Sequence, residues 1–118
     1  MAKIKEVIAI PANTHNILSS GTRITGDINA EEDIRIDGTV EGNITCKGKI
    51  VVGASSSVIG NIESCNIELL GQVKGNITCR ERIILRASSI LYGDIKTSII
   101  EIEPGAQFEG ACVMYTEQ

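Results

Sequence analysis

The sequence predicts an all-β chain: one parallel β-helix, a solenoid of about six three-sided coils, each stacked on the one before. Three observations carry this: a glycine-marked repeat of 15 to 18 residues, strict alternation of side-chain character inside each repeat, and a composition weighted toward β-branched residues. Of 118 residues 21 are Ile, whereas Trp is absent and Phe108 is the one Phe. Branching at Cβ stiffens χ1 and suits the pleated surface of a strand. Composition therefore favours sheet.

Self-similarity at a fixed period constrains architecture more firmly than local propensity does. The pattern aliphatic-x-Gly-x-Ile recurs around Gly26, Gly42, Gly60, Gly75 and Gly93 and closes, with Cys in the last place, around Gly110; these glycines step by 16, 18, 15, 18 and 17 residues. A second alternating run follows each of the first five units, from Ile34 and Ile36 through Ile50 and Val52, Ile67 and Leu69, and Ile83 and Leu85 to Ile100 and Ile102. Residues i, i+2 and i+4 of a strand share a face, so the aliphatic members of a unit point one way. A single unit is too short to bury that face alone. At about 3.3 Å per residue it traces a perimeter of about 55 Å, enough for a triangle, and coils stacked about 4.8 Å apart pair each strand with its equivalents above and below.

Equivalent residues of successive coils must then share a site. The column two after the glycine holds Ile28, Ile44, Ile62, Ile77, Ile95 and Cys112, and Ile44, Ile62, Ile77 and Ile95 set the register of the core. The column four after it is smaller: Ala30, Cys46, Ser64, Cys79, Thr97, and then Met114. One after the glycine stand Asp27, Asn43, Asn61, Asn76, Asp94 and Ala111, turn-tolerant polar residues expected to bond local backbone or one another along the stack. Of the outward positions, Arg35, Glu41, Glu63, Lys74, Lys96 and Glu109 read as solvated, while Val51, Ile59, Ile84 and Tyr92 are expected to form a modest apolar patch. The repeat divides the chain into a leader (1–21), the β-helix (22–115) and a short tail (116–118).

A net charge of −4 with singly scattered Lys and Arg leaves no basic stripe for a phosphate backbone, and no aromatic platform for bases; nucleic acid is not an expected partner. The first ten residues lack a secretory apolar run and no 18-residue apolar stretch exists, so the cytoplasm is the expected location. Cys46, Cys65, Cys79 and Cys112 form no C-x-x-C pair and read as small buried thiols, not as disulfides or a metal set. Cys46 and Cys79, two coils apart, would lie about 9 to 10 Å from each other, too far for a disulfide.

Catalytic constellations are missing as well. The one His, His15, precedes the repeat, so the histidine on which β-helix acyltransferases depend and the three zinc-binding histidines of γ-class carbonic anhydrases have no counterpart. The stretch from Gly42 to Ile50 departs from a phosphate-binding loop in spacing and lacks its Ser or Thr. Neither enzyme activity, nor a cofactor, a metal or a nucleotide is expected.

These same residues resemble a known family, the bactofilins, over residues 22 to 114. The likeness rests on Thr22-x-Ile24-x-Gly26-Asp27-Ile28, on Ile34-x-Ile36-Asp37-Gly38-x-Val40-x-Gly42-Asn43-Ile44, on the recurring Gly-Asp/Asn-Ile, and on Ile102-Glu103-Pro104-Gly105-Ala106-x-Phe108-Glu109-Gly110. The resemblance implies a right-handed coil and a cytoskeletal scaffold that polymerises end to end, without nucleotide, into non-polar filaments. It further implies a place at the inner face of the cytoplasmic membrane and partners among cell-wall-modifying proteins. The family's long proline-rich or charged tails are not matched here. In the leader, Ile4, Val7, Ile8 and Ile10 beside Lys3 and Lys5 are candidates for membrane contact, which many copies on a filament would reinforce, or for packing on the β-helix.

Assembly also follows from the open ends. A solenoid without caps exposes unpaired strand edges and half-covered core residues, and no polar cap follows the last coil. Phe108, Met114 and Tyr115 are therefore candidate contacts at the C-terminal end, and Ile24 and Ile28 at the N-terminal end. Like ends meeting like ends would give a fibre without polarity, head-to-tail stacking a polar one; the residues themselves leave both open. A small non-polymerising β-helix that binds a partner is the alternative reading.

Overall fold

The computed structural model describes residues 16–115, which form a parallel β-solenoid of six coils with strands numbered in chain order. The first side is a six-stranded sheet of β2 (Arg23–Thr25), β5 (Thr39–Glu41), β8 (Ser57–Ile59), β10 (Gln72–Lys74), β12 (Ile90–Tyr92) and β15 (Gln107–Glu109). The second side stacks β3 (Ile28–Ala30), β6 (Ile44–Cys46), the leading part of β9 (Ile62–Leu69), the leading part of β11 (Ile77–Leu85), β13 (Ile95–Thr97) and β16 (Cys112–Met114). The third stacks β1 (Asn16–Leu18), β4 (Ile34–Ile36), β7 (Lys49–Val52), the trailing parts of β9 and β11, and β14 (Ile99–Ile102). All these pairs are parallel. Strands β9 and β11 run through the corner between the second and third sides, where their register shifts between Cys79 and Arg82.

The predicted columns are the observed ones. Ile24, Val40, Val58, Val73, Leu91 and Phe108 pair in series along the first side. Ile28, Ile44, Ile62, Ile77, Ile95 and Cys112 do so along the second. Interior members of both are essentially inaccessible to water. Burying a branched aliphatic side chain stabilises by about 1.5 to 3 kcal/mol, and the stack repeats that gain in every coil.

The corner between the first two sides follows from its glycine and the residue after it. Gly75 has φ of 152°, and a Cβ there would collide with the carbonyl oxygen of Gly60 one coil away; backbone packs on backbone, and no side chain fits. The next residue makes a ladder. The side-chain Oδ1 atoms of Asp27, Asn43, Asn61, Asn76 and Asp94 each accept the backbone N–H of the equivalent residue one coil on, at 2.9 to 3.0 Å. The small column works similarly at the next corner. Ser64 Oγ donates to the Gly48 carbonyl at 2.6 Å, Thr97 Oγ1 to the Glu81 carbonyl at 3.3 Å, and Cys79 Sγ to the Cys65 carbonyl at 3.3 Å. Ser, Thr and Cys interchange there because each is small and carries a donor for a corner carbonyl.

Three expectations need correction. The leader does not extend to residue 21: Asn16–Leu18 pairs with Ile34–Ile36, and Leu18 packs on the core. Its alternation is hidden because Asn16 occupies a column that is otherwise Ile. Cys112 is exposed and not buried, because it lies in the last coil; all four thiols are free, and burial pushes those of Cys46 and Cys79 up. Finally, Val51, Ile59, Ile84 and Tyr92 form no single patch. Val51 and Ile84 stand on the third side with Glu68 between them, and Ile59 and Tyr92 on the first with Lys74 between them.

Candidate functional site

The two open ends are where this regular structure breaks off. At the C-terminal end the outermost strands are β14, β15 and β16. Val40, Val58, Val73 and Leu91 are 0 % exposed, yet Phe108 in the same column is half-buried. Around it, Ile102 is 51 % and Met114 50 % exposed, and Cys112 is exposed as well. Each is an inward-facing residue with a neighbouring coil on one side alone. The backbone repeats the pattern: Gly93 and Ile95 donate to the carbonyls of Glu109 and Ala111, and among the described residues no further coil exists to serve Gly110 and Cys112 likewise. The N-terminal end is the counterpart, with Leu18, Ile24 and Ile28 half-buried on edge strands β1, β2 and β3.

The structure thus brings Phe108 and Met114 together at one end and Ile24 and Ile28 at the other. Tyr115 departs from its expected place. Its hydroxyl donates to the Cys79 carbonyl at 2.9 Å, and Lys96 Nζ stands 5.8 Å from its ring centre. A phenol prefers a site with one wet edge and a partner for its O–H, so the chain folds Tyr115 back onto the second side. The expectations for His15 and for Ile4, Val7, Ile8 and Ile10 lie outside the described residues. Ile102 and Leu18 are end residues that sequence reading missed; Ile102 was legible as the last member of its run, whereas nothing marked Leu18.

Little else on the surface suggests chemistry. Among the described residues no group of three or more His, Cys, Asp or Glu could hold a metal ion, and no helix is long and apolar enough to cross a membrane. Along the second side run shallow grooves of about 340 and 280 Å³ lined by Asn43, Asn61, Asn76, Thr78 and Lys96. On the third side, Glu68 is the hub of a chain of ion pairs linking successive coils: Lys49 at 3.3 Å, Arg86 at 2.7 Å, and from Arg86 on to Glu103 at 2.7 Å. The hydrogen bond from Arg86, helped by Lys49, holds the Glu68 carboxyl below the usual carboxylate range.

Among the described residues the chain is a parallel β-solenoid whose core columns lie exposed at both ends, and that defines its class. Comparison with known proteins is specific. A family model for bactofilin, described as polymer-forming cytoskeletal, matches residues 16–113, and the chain belongs to the bactofilin family. It is similar to bactofilin BacO of Myxococcus xanthus, 40% identical over 58 residues, which are 49% of this chain and 44% of that protein. The match thus spans under half of that curated relative. Among solved structures it is similar to Thermus thermophilus bactofilin in double helical filaments, with TM-score 0.81, 32% identity, and 85% of this chain and 99% of that one covered. It is also similar to cytoskeletal bactofilin BacA, solved by solid-state NMR, with TM-score 0.77, 30% identity, and 87% and 98% coverage. A Phe-to-Arg mutant of the Thermus protein matches with TM-score 0.73, 31% identity, and 76% and 100% coverage.

Proposed function

We propose that this chain polymerises end to end through its two open ends, without nucleotide, into filaments lacking polarity. The observation that carries this reading is the exposure of core columns at both ends: Phe108, Ile102 and Met114 at one, Leu18, Ile24 and Ile28 at the other. Burying them against a second copy removes apolar surface from water and gives the edge strands partners.

The Asx ladder favours like ends meeting. In the interior each backbone N–H of the ladder residue finds the side-chain oxygen of the coil before it; the last place is Ala111, whose methyl group accepts nothing. Head-to-tail stacking would set the Asp27 N–H over that methyl group, and a buried donor without a partner costs about 1 to 3 kcal/mol. Contacts between like ends avoid this junction.

The scaffold role is that of a cytoplasmic filament lying against the inner membrane surface and gathering cell-wall-modifying proteins. Its support is the family resemblance, together with the apolar residues Ile4, Val7, Ile8 and Ile10 of the leader. Electron microscopy of the purified chain without nucleotide or divalent metal is expected to show filaments. Soluble monomer under those conditions would return the reading to a non-polymerising binding module. Deleting residues 1–14, which spares β1, is expected to keep filaments and abolish liposome binding; equal lipid co-sedimentation of both forms removes the leader from that role.

A further inference from the structure

The N-terminal end is stepped. Strand β1 pairs with β4, the third side of the first coil, whereas on the first and second sides nothing among the described residues lies beyond β2 and β3 of that coil. Strand β1 is thus the third side of a coil whose other two sides fall outside the described residues. Along the rod, 12 to 15 residues separate successive strands of the third side, and they supply the first and second sides with their corners. The fifteen residues ahead of Asn16 have the length to cross both β2 and β3.

Position within that stretch matters as much as length. In the first coil Ile24 and Ile28 stand ten and six places before Ile34; in the third, Val58 and Ile62 stand nine and five before Ile67. Asn16 shares the column of Ile34 and Ile67, and the same offsets before it reach Val7, at nine, and Ile10, at six. Two apolar residues therefore fall at the places that would cover Ile24 and Ile28. They are three apart, where every coil keeps four. Between them stand Ile8 and Ala9, where the first five coils carry a glycine at positive φ followed by Asp or Asn. A Cβ at Gly42 would strike the Gly26 carbonyl, whereas one at Gly26 would meet nothing within 4 Å. Asp27 accepts the Asn43 N–H, but neither Ile8 nor Ala9 has a side-chain oxygen to accept that of Asp27. The leader can cover the end, yet it lacks the corner and the rung that lock one coil on another.

We propose that residues 1–15 are a displaceable cap on the N-terminal end, laying Val7 and Ile10 against Ile24 and Ile28 and yielding when a second copy takes their place. Tethering at β1 gives the segment a high effective concentration at this end, so a contact too weak to hold a separate peptide suffices. The proposal rests on the end-to-end joining proposed above and adds its control. A covered end cannot join, so the apparent affinity of that contact is lowered to the fraction of ends that stand open.

The test uses the full-length chain carrying Val7→Asp and Ile10→Asp together, which sets charge against apolar columns and alters no described residue. Sedimentation in lipid-free buffer is expected to show assembly beginning at about one tenth of the wild-type concentration, as it would if about nine ends in ten were covered. Below that threshold, hydrogen exchange across Arg23–Ala30 is expected to be about tenfold faster in the variant than in wild type. A threshold that is unchanged or higher overturns the cap and leaves end-to-end joining standing. Protection of Arg23–Ala30 that the wild type loses on dilution assigns the end to a second copy and also overturns the cap. If neither chain assembles at any concentration, the joining itself is overturned and exchange alone decides: faster exchange in the variant upholds the cap, and equal exchange removes it.

Discussion

Val73 and Phe108 occupy one column, yet they answer to different demands. Val73 has coils on both sides and is 0 % exposed; Phe108, two coils further on, has one neighbouring coil and remains half-buried. The same alternation that closes the core in mid-rod leaves it unfinished at the tip. In a solenoid, burial is thus set by how many coils stand on either side as much as by the side chain. Stability resides in the middle, and the proposed association at the ends.

The sharpest break of this comparison is a charge in mid-rod. Ile77→Asp places a carboxylate between Ile62 and Ile95 in a column 1 % exposed. The desolvation cost of several kcal/mol is comparable to the stability of a whole domain. Loss of the cooperative thermal transition in circular dichroism is expected, and a near-wild-type melt would refute the register.

A charge at the tip should behave differently. Phe108→Arg is expected to leave a folded rod, destabilised by no more than about 2 kcal/mol, because a long side chain at an open end can turn its head to water. Polymerisation should be lost, since two like charges would meet across the contact. Light scattering is expected to give a discrete dimer joined through N-terminal ends; long filaments would show that the C-terminal end is no assembly surface.

The ladder permits a finer version. Asn61→Ala removes the acceptor for the Asn76 N–H in mid-rod, and about 1 to 3 kcal/mol of stability should go with it. Ala111→Asn leaves the rod as stable as before but supplies the missing acceptor at the tip. Equal melting temperatures for Asn61→Ala and wild type would remove the ladder as a stabilising element.

The smallest effect is expected from pH. The Glu68 carboxyl is held low by Arg86 and Lys49, so its ion pairs stabilise fully above the unfolded value near 4.3. That contribution is lost as pH falls through the lower folded value. Glu68→Gln is expected to cost at most about 1 kcal/mol at neutral pH, and its melting temperature should converge with wild type as the solution is acidified below the ordinary carboxylate range. A gap that persists there would assign the loss to packing and not to charge.

How much was legible in the residues follows from the same logic. Wherever a coil is flanked by two others its column must be filled uniformly, and uniform columns such as Ile44, Ile62, Ile77 and Ile95 can be read directly. Strand β1 escaped because an end coil need not fill its columns, and Asn16 does not. Tyr115 was misplaced because its position depends on a partner, the Cys79 carbonyl, 36 residues earlier in the chain. The donor role of Ser64, Cys79 and Thr97 was hidden behind their common small size.

The ladder of Asp27, Asn43, Asn61, Asn76 and Asp94 also makes the rod a ruler. Each rung resets the phase of the chain, which is why steps of 15 and 18 residues coexist without shearing the columns. Duplicating or deleting one whole rung-to-rung segment would change the rod's length by a single graduation of about 4.8 Å. Both tips would stay chemically the same, so on the proposed end-to-end assembly subunit length and joining are separable.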